Sequence, residues 1–265
     1  MKRAWLLIVA LALLSFGWAL AQEETQITFW HAMGGWRIGV IERMCADFNE
    51  IFAQYEVIPE FKGSYRDTLN AAIAAARAGA PPGVVQIFEV GTRMAIDSGI
   101  FEPAQEVIEE CGLEVDWSQY IPATMSYYTI DGVVYSFPFN SSNPILYYNK
   151  DIFERAGIDL PRKPTFNDIY AAARQIVAGG YATYGITWPV HSWFIEQWLA
   201  EQGQDLVDNE NGQAGRPTQT YLLSDAAKRI FEWWGRLYKE GLYAPTSFEA
   251  WGEAKRNFLA QETAM

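Results

Sequence analysis

Two histidines, two cysteines and a deficit of positive charge set the outer limits on what this chain can do. His31 and His191 stand alone, with no Glu-x-x-His or His-x-x-x-His partner, so the helical spacing typical of zinc ligands is missing. There is no Gly-x-Ser-x-Gly nucleophile elbow and no P-loop. Cys45 and Cys111 lie 66 positions apart, outside metal-ligand spacing. An exported protein could join them, but Cys45 also falls on an apolar helical stripe, where a free thiol is simply a small hydrophobe. With 20 Lys and Arg against 32 Asp and Glu, the formal net charge is −12. Nucleic acids and anionic membranes are polyanions that this balance repels, so neither is an expected partner. The sequence also has no internal repeat and no low-complexity tract.

The first residues carry a compartment signal. Lys2-Arg3, the apolar run from Ala4 to Leu14 and the closing Ala19-Leu20-Ala21 have the charged, apolar and small-residue regions of a secretory signal. The run falls short of the roughly 20 apolar residues that span a bilayer. Residues 1–21 are therefore expected to be removed, and with no cysteine after the small residues no lipid anchor is expected. The mature chain should be periplasmic. It loses two positive charges, moving from −12 to −14, and keeps 244 residues, which suits one large or two smaller domains.

Along those residues short apolar runs alternate with amphipathic helices. Ile27 to Trp30 reads as a strand, and Trp36, Val40, Ile41, Met44, Phe48, Ile51 and Phe52 then recur at helical spacing. Tyr55 to Phe61 is a second strand. Ser64 and Asp67 form a capping-box pattern opening a helix with Leu69, Ile73 and Ala76, and Val84 to Phe88 is a short buried strand. This βαβαβ order predicts an α/β fold with a mostly parallel sheet. Further on, strands are predicted over Val133–Phe139, Ile145–Tyr148 and Tyr184–Trp188. Helices should carry the stripes Ile195, Trp198, Leu199 and Ile230, Phe231, Trp234, Leu237, Tyr238. Asp208 to Gln213 is a polar turn.

Between two aromatic runs, Pro138-Phe139-Asn140-Ser141-Ser142-Asn143-Pro144 gathers small hydrogen-bonding side chains suited to a polar ligand. Together with Phe29-Trp30-His31-Ala32-Met33-Gly34-Gly35, Phe61-Lys62-Gly63-Ser64-Tyr65 and Gln86-Ile87-Phe88-Glu89-Val90-Gly91-Thr92, it resembles the family-1 extracellular solute-binding proteins of ABC importers, most closely their glycerol-3-phosphate-binding members. The resemblance runs from about Thr25 to Met265 and weakens between Trp188 and Ala244.

The resemblance implies a periplasmic-binding-protein-like fold, with two α/β lobes about a hinge. It places the first lobe at 22–112, an incomplete second lobe at 113–257, and the start of a return crossing to the first lobe at 258–265. A further portion of a complete family member is then expected beyond Met265. The implied function is that of a substrate-binding subunit that delivers glycerol-3-phosphate or a glycerophosphodiester to permease subunits in the membrane. A monomer without a cofactor is expected. The family's ligand-contacting tyrosine, glutamate and serine carry over to Tyr65, Glu89 and Ser142. Its stacking tryptophan carries over to Trp188, with Trp193 as the second match.

Each residue has a plainer reading. Tyr65 can pack at a helix start, Glu89 can cap a helix, and Ser142 can be a turn residue before Asn143-Pro144. Trp188 is one of 11 tryptophans, most of which must be core. Lys62 and Arg66 read as solvated surface. The Asn140-Ser141-Ser142 sequon is a coincidence in a bacterial export context. An oligosaccharide ligand is the alternative within the family, since aromatics make up 15% of the chain. A secreted glycoside hydrolase using Glu89 and Asp131 would need a defined carboxylate separation, which sequence does not supply.

If the signal reading is right, mass spectrometry or N-terminal sequencing of periplasmic material will find Gln22 first. Retention of Met1, or a lipid-modified terminus, would refute it.

Overall fold

The computed structural model describes residues 24–265, so the signal segment and its Ala21 cleavage point lie outside the described residues. Two compact units are present, the first ending at Phe139 and the second running Asn140–Met265.

In the first unit, β1 (Thr25–His31) is the middle strand of a parallel sheet ordered β2-β1-β3. It pairs with β2 (Tyr55–Phe61) over its whole length, from Thr25 opposite Tyr55 to His31 opposite Phe61. β3 is only Val84–Val85, shorter than the predicted Val84–Phe88. The ladder ends there because Gln86, after donating its N–H to the Trp30 carbonyl, turns its side chain to accept from the Ala32 N–H at 3.0 Å. Parallel strands need crossovers, and two helices supply them. α1 (Arg37–Ile51) buries Ile41 and Cys45 on one seam, while Trp36 and Ile51 stay exposed, so less of the apolar stripe is covered than its periodicity predicts. Cys45 packs with Met33 in that core; it and Cys111 are both free thiols. α2 (Tyr65–Arg77) starts at the predicted capping box. The Ser64 Oγ accepts from the Asp67 N–H, and the Asp67 carboxylate accepts from the Ser64 N–H, bonds that hold the Asp67 carboxyl below its ordinary range. α2 buries Thr68, Leu69 and Ala72.

After the short helices α3 (Thr92–Ser98), α4 (Ala104–Glu110) and α5 (Pro122–Tyr128) comes a hairpin of β4 (Thr129–Ile130) and β5 (Val133–Val134). It turns through Asp131 and Gly132, both at positive φ, as an Asp-Gly turn favours. β5 is shorter than predicted because Tyr135 and Ala104 bond across it and Val134 donates to the Gln105 side chain. Those bonds and the edge contact of Phe139 on Phe29 carry the first unit to Phe139, beyond the boundary expected at 112/113.

In the second unit, residues 140–148 are irregular, and the strand predicted over Ile145–Tyr148 has no pairing partner among the described residues. Asn149 caps α6 (Lys150–Ala156) and donates its N–H to the Ala264 carbonyl. α7 (Phe166–Ala178) opens with a Thr165–Asp168 capping box and buries Ile169, Ala173 and Ile176. Ala173 meets Gly185 so closely that a Cβ there would lie 2.4 Å from it. β6 (Ile186–Thr187), shorter than predicted, pairs in parallel with β7 (Tyr243–Ala244), which follows α8 (Ser192–Glu201) and α9 (Asp225–Lys239). The polar turn at Asp208–Gly212 has Asn209, Glu210 and Asn211 all at left-handed φ, held by Asn211 accepting from the Leu206 and Val207 N–H groups. After α10 (Trp251–Leu259), Thr263 bridges Tyr184, and Met265 exchanges bonds with Gly185 and Thr187. Residues 258–265 thus pack into the second unit, with Ala264 and Met265 in its core, where a crossing toward the first lobe was expected.

That core supports two stability predictions. Leu237 is fully buried, so Leu237→Ala should cost about 2–5 kcal/mol in urea unfolding; a loss below about 1 kcal/mol would contradict the packing. Burial pushes the Tyr243 hydroxyl up to about 12 from 10.0, with the Glu253 charge adding, although its bond with Thr246 pulls the other way. The unfolded chain therefore ionises first. The resulting stabilisation is complete below about pH 10 and falls by about 1.4 kcal/mol per unit up to about pH 12. Alkaline unfolding of Tyr243→Phe should lack that slope.

Candidate functional site

In the first unit the carboxyl ends of β1, β2 and β3 point to one edge, where parallel sheets collect ligands. Two buried polar side chains fix the loop leaving β1. The His31 Nδ1 accepts from the Met33 N–H at 3.2 Å, and Gln86 holds Ala32. Burial keeps the His31 imidazole below its ordinary range, against an upward pull from Glu42, so the neutral form that accepts this bond is favoured. Flanked by Phe29 and Phe61, His31 is a structural support of the edge.

Beyond β2, Gly63 at φ +96 turns the chain into the Ser64 cap, which leaves Tyr65 as the first residue of α2. Beyond β3, Phe88 leads into a 3-10 turn at Glu89–Gly91. The Tyr65 and Phe88 rings stack at 5.8 Å and 8°, so the two loops are joined face to face. Gly91 keeps that turn tight, since a Cβ there would lie 2.6 Å from the Phe88 ring and 2.9 Å from Leu69. Tyr65 and Glu89 are therefore brought together. Tyr128, at the end of α5, joins them: burial raises its hydroxyl, and the charges of Glu89 and Tyr65 add to the effect. The sequence reading missed Tyr128, because only a contact outside its own helix marks it.

Lys62 is not free surface. Its Nζ pairs with Glu60 at 2.5 Å and lies 3.8 Å above the Trp30 ring. Arg66 is exposed.

In the second unit, Ser142 is exposed in the irregular segment before α6. Trp188 directly follows β6 and is 5% exposed. Trp233 stacks on it at 5.5 Å and 5°, Tyr243 lies at 4.4 Å, and Trp198 and Trp234 meet it edge-on. Trp188 is thus the centre of an aromatic core. Its indole N–H is buried without a partner among the described residues, while its carbonyl accepts from Tyr243 and Thr246. Trp193, at the first turn of α8, is partly buried and its ring lies 6.3 Å from that of Trp251. Among the described residues no cluster of His, Cys, Asp and Glu could hold a metal, and no helix is long and apolar enough to cross a membrane.

The chain as a whole has known relatives. The bacterial extracellular solute-binding protein family matches residues 39–265. The sn-glycerol-3-phosphate-binding periplasmic protein UgpB of Rhizobium meliloti (strain 1021) is 38% identical over 258 residues, 95% of this chain and 59% of the relative. Its counterpart in Brucella abortus (strain 2308) is 37% identical over 92% of this chain and 57% of the relative. The chain therefore spans about three-fifths of the length of these relatives. Among solved structures, UgpB from Mycobacterium tuberculosis in complex with glycerophosphocholine aligns with a TM-score of 0.75 at 18% identity, covering 90% of this chain and 58% of that one. The GacH receptor of Streptomyces glaucescens GLA.O, solved with acarbose, aligns at 0.73 and 18%, covering 91% and 59%. At those identities the likeness establishes the periplasmic-binding-protein-like α/β fold. On the strength of the family match and the close relatives, the chain belongs to the bacterial extracellular solute-binding proteins.

Proposed function

We propose that this protein is the substrate-binding subunit of an ABC importer, taking up sn-glycerol-3-phosphate or a glycerophosphodiester in the periplasm and handing it to permease subunits. The observation that carries the reading is the 38% identity to a glycerol-3-phosphate-binding protein across 95% of this chain. The protein acts as a monomer by stoichiometric binding, without turnover of the ligand.

Within this reading Glu89 accepts hydrogen bonds from the glycerol hydroxyls, because a phosphate beside its carboxylate would be repelled. Tyr65, stacked on Phe88, supplies an apolar wall and a hydroxyl, and Tyr128 supplies a second hydroxyl. Ser142 serves the phosphate end. The stacking role belongs to Trp193 in preference to Trp188, whose ring is covered by Trp233 and Tyr243. The oligosaccharide alternative draws support from neighbours solved with acarbose and with lacto-N-biose, but those are 18% and 15% identical and reflect the shared fold.

Calorimetry on the full-length protein tests the assignment. Glu89→Gln should weaken glycerol-3-phosphate and glycerophosphocholine alike, since both present free glycerol hydroxyls. Ser142→Ala should cost less, on the order of 1 kcal/mol, as one neutral donor is lost. Tyr65→Ala should weaken both ligands. Maltose-type sugars binding at micromolar affinity, with no heat from either glycerol compound, would replace this reading with the oligosaccharide one.

A further inference from the structure

The sheet of the first unit has one long outer strand. β2 has β1 on one side and no described strand on the other, and it runs for 7 residues, whereas β3 at the opposite edge has only 2. The register fixes which way its peptide groups point. At one end of the β1–β2 ladder the Thr25 N–H donates to the Gln54 carbonyl, and at the other the Lys62 N–H donates to the His31 carbonyl. Peptide groups along a strand point to alternate sides, so Gln54, Glu56, Ile58, Glu60 and Lys62 turn theirs toward β1. Those of Tyr55, Val57, Pro59 and Phe61 turn outward. A free row of that kind is a template for any further strand, including the same strand of a second copy of this chain.

Most of the row is already closed by the chain itself. The Tyr55 N–H donates to the Phe52 carbonyl at 2.9 Å, just past the end of α1. Val57 is met by a single side chain from α1: its N–H donates to the Asn49 Oδ1 at 2.8 Å, and its carbonyl accepts from the Asn49 Nδ2 at 3.2 Å. A side-chain amide carries the donor and the acceptor of a peptide group, so Asn49 offers Val57 what a neighbouring strand would offer. Pro59 has no N–H to present. Asn49 also lies one helical turn beyond Cys45, on the seam that buries Ile41 and Cys45, where the periodicity calls for an apolar side chain. The two bonds to Val57 account for a polar one.

We infer that Asn49 is a stop on the outer edge of β2: its amide occupies the Val57 peptide group and, together with Pro59, prevents edge-to-edge pairing with a second copy of this chain. Phe52, Tyr55 and Phe61 are exposed beside that edge and would favour such pairing once it opened. In a two-fold pair the strands run antiparallel, and Val57 of each copy would exchange both of its bonds with Val57 of the other. The inference stands apart from the choice of ligand.

Sedimentation and amide hydrogen exchange on the full-length protein test the stop, in salt high enough to screen the repulsion between acidic chains. Asn49→Ala should keep α1, because Ala is the better helix former. In dilute solution its Val57 amide should exchange about tenfold faster than in the wild type, the effect of roughly one lost hydrogen bond. As concentration rises, the variant should dimerise and the Val57 amide should become protected again. Asn49→Leu, which keeps the shape and removes both polar atoms, should do the same even if the Ala variant fails to fold. Asn49→Asp loses the donor but sets a charge on the edge, so it should remain monomeric even where it is destabilised as much as Asn49→Ala. Dimers in which the Val57 amide stays unprotected would show that apolar surface joins the copies, and the stop would be wrong. It would also be wrong if Asn49→Ala stayed monomeric at every concentration, or if Asn49→Asp dimerised as readily.

Discussion

Parallel strand pairing is the constraint on which the rest of this protein depends. A parallel neighbour cannot be reached by a tight turn, so the chain must cross back over each sheet before it re-enters. In the first unit α1 and α2 make those crossings, and every loop leaving β1, β2 and β3 lands on the same edge. In the second unit the same rule brings the loops after β6 and β7 side by side. Residues separated by long stretches of sequence, such as His191 and Phe248, become neighbours through it.

Backbone groups at such an edge have run out of ladder partners, and buried side chains take over from them. Gln86 continues the β1–β3 pairing by accepting from Ala32, and His31 accepts from Met33. Leaving either donor unpaired in a buried site would cost about 1–3 kcal/mol, so the loop conformation is set before any ligand arrives. Neutral His31 is required for this, and burial supplies the neutrality. The same economy of contacts orients Tyr65: the Ser64–Asp67 box fixes the first turn of α2, and the stack on Phe88 fixes the ring.

What the sequence discloses follows from how local the determining contacts are. The Ser64–Asp67 cap was legible because all its atoms lie within four residues, and the β1–α1–β2 order because its apolar periodicity is long. Glu89 was expected directly after a buried strand, but β3 ends at Val85 with Val84 exposed, and Glu89 opens the 3-10 turn four residues further on. The length of β3 was not legible, because the Gln86 side chain, 54 residues from Ala32, ends the ladder. Nor could the sequence separate the first unit from the second, since residues 133–135 are tied to Ala104 and Gln105 by bonds that no composition shift reveals. Trp188 and Trp193 differ for a similar reason. Both are tryptophans near a proline and a histidine, but Trp233, Tyr243 and Trp198 reach Trp188 from distant helices and strands and close over it. Ring chemistry alone does not distinguish a core from a platform; burial does.

For the proposed anionic ligand, an acidic chain poses a problem of placement more than one of affinity. Two unit charges of like sign at 4 Å repel by about 4 kcal/mol at an effective dielectric of 20, enough to offset several neutral hydrogen bonds. For the proposed ligand, then, Glu89 can be tolerated only if it meets hydroxyls and the phosphate lies elsewhere. That makes the carboxylate a selector of orientation. A ligand bound the wrong way round would place its phosphate against Glu89, and bare phosphate would lack the glycerol half that makes the carboxylate acceptable. The general acidity of the chain, which disfavours polyanionic partners, is thus compatible with the proposed phosphate-bearing small molecule.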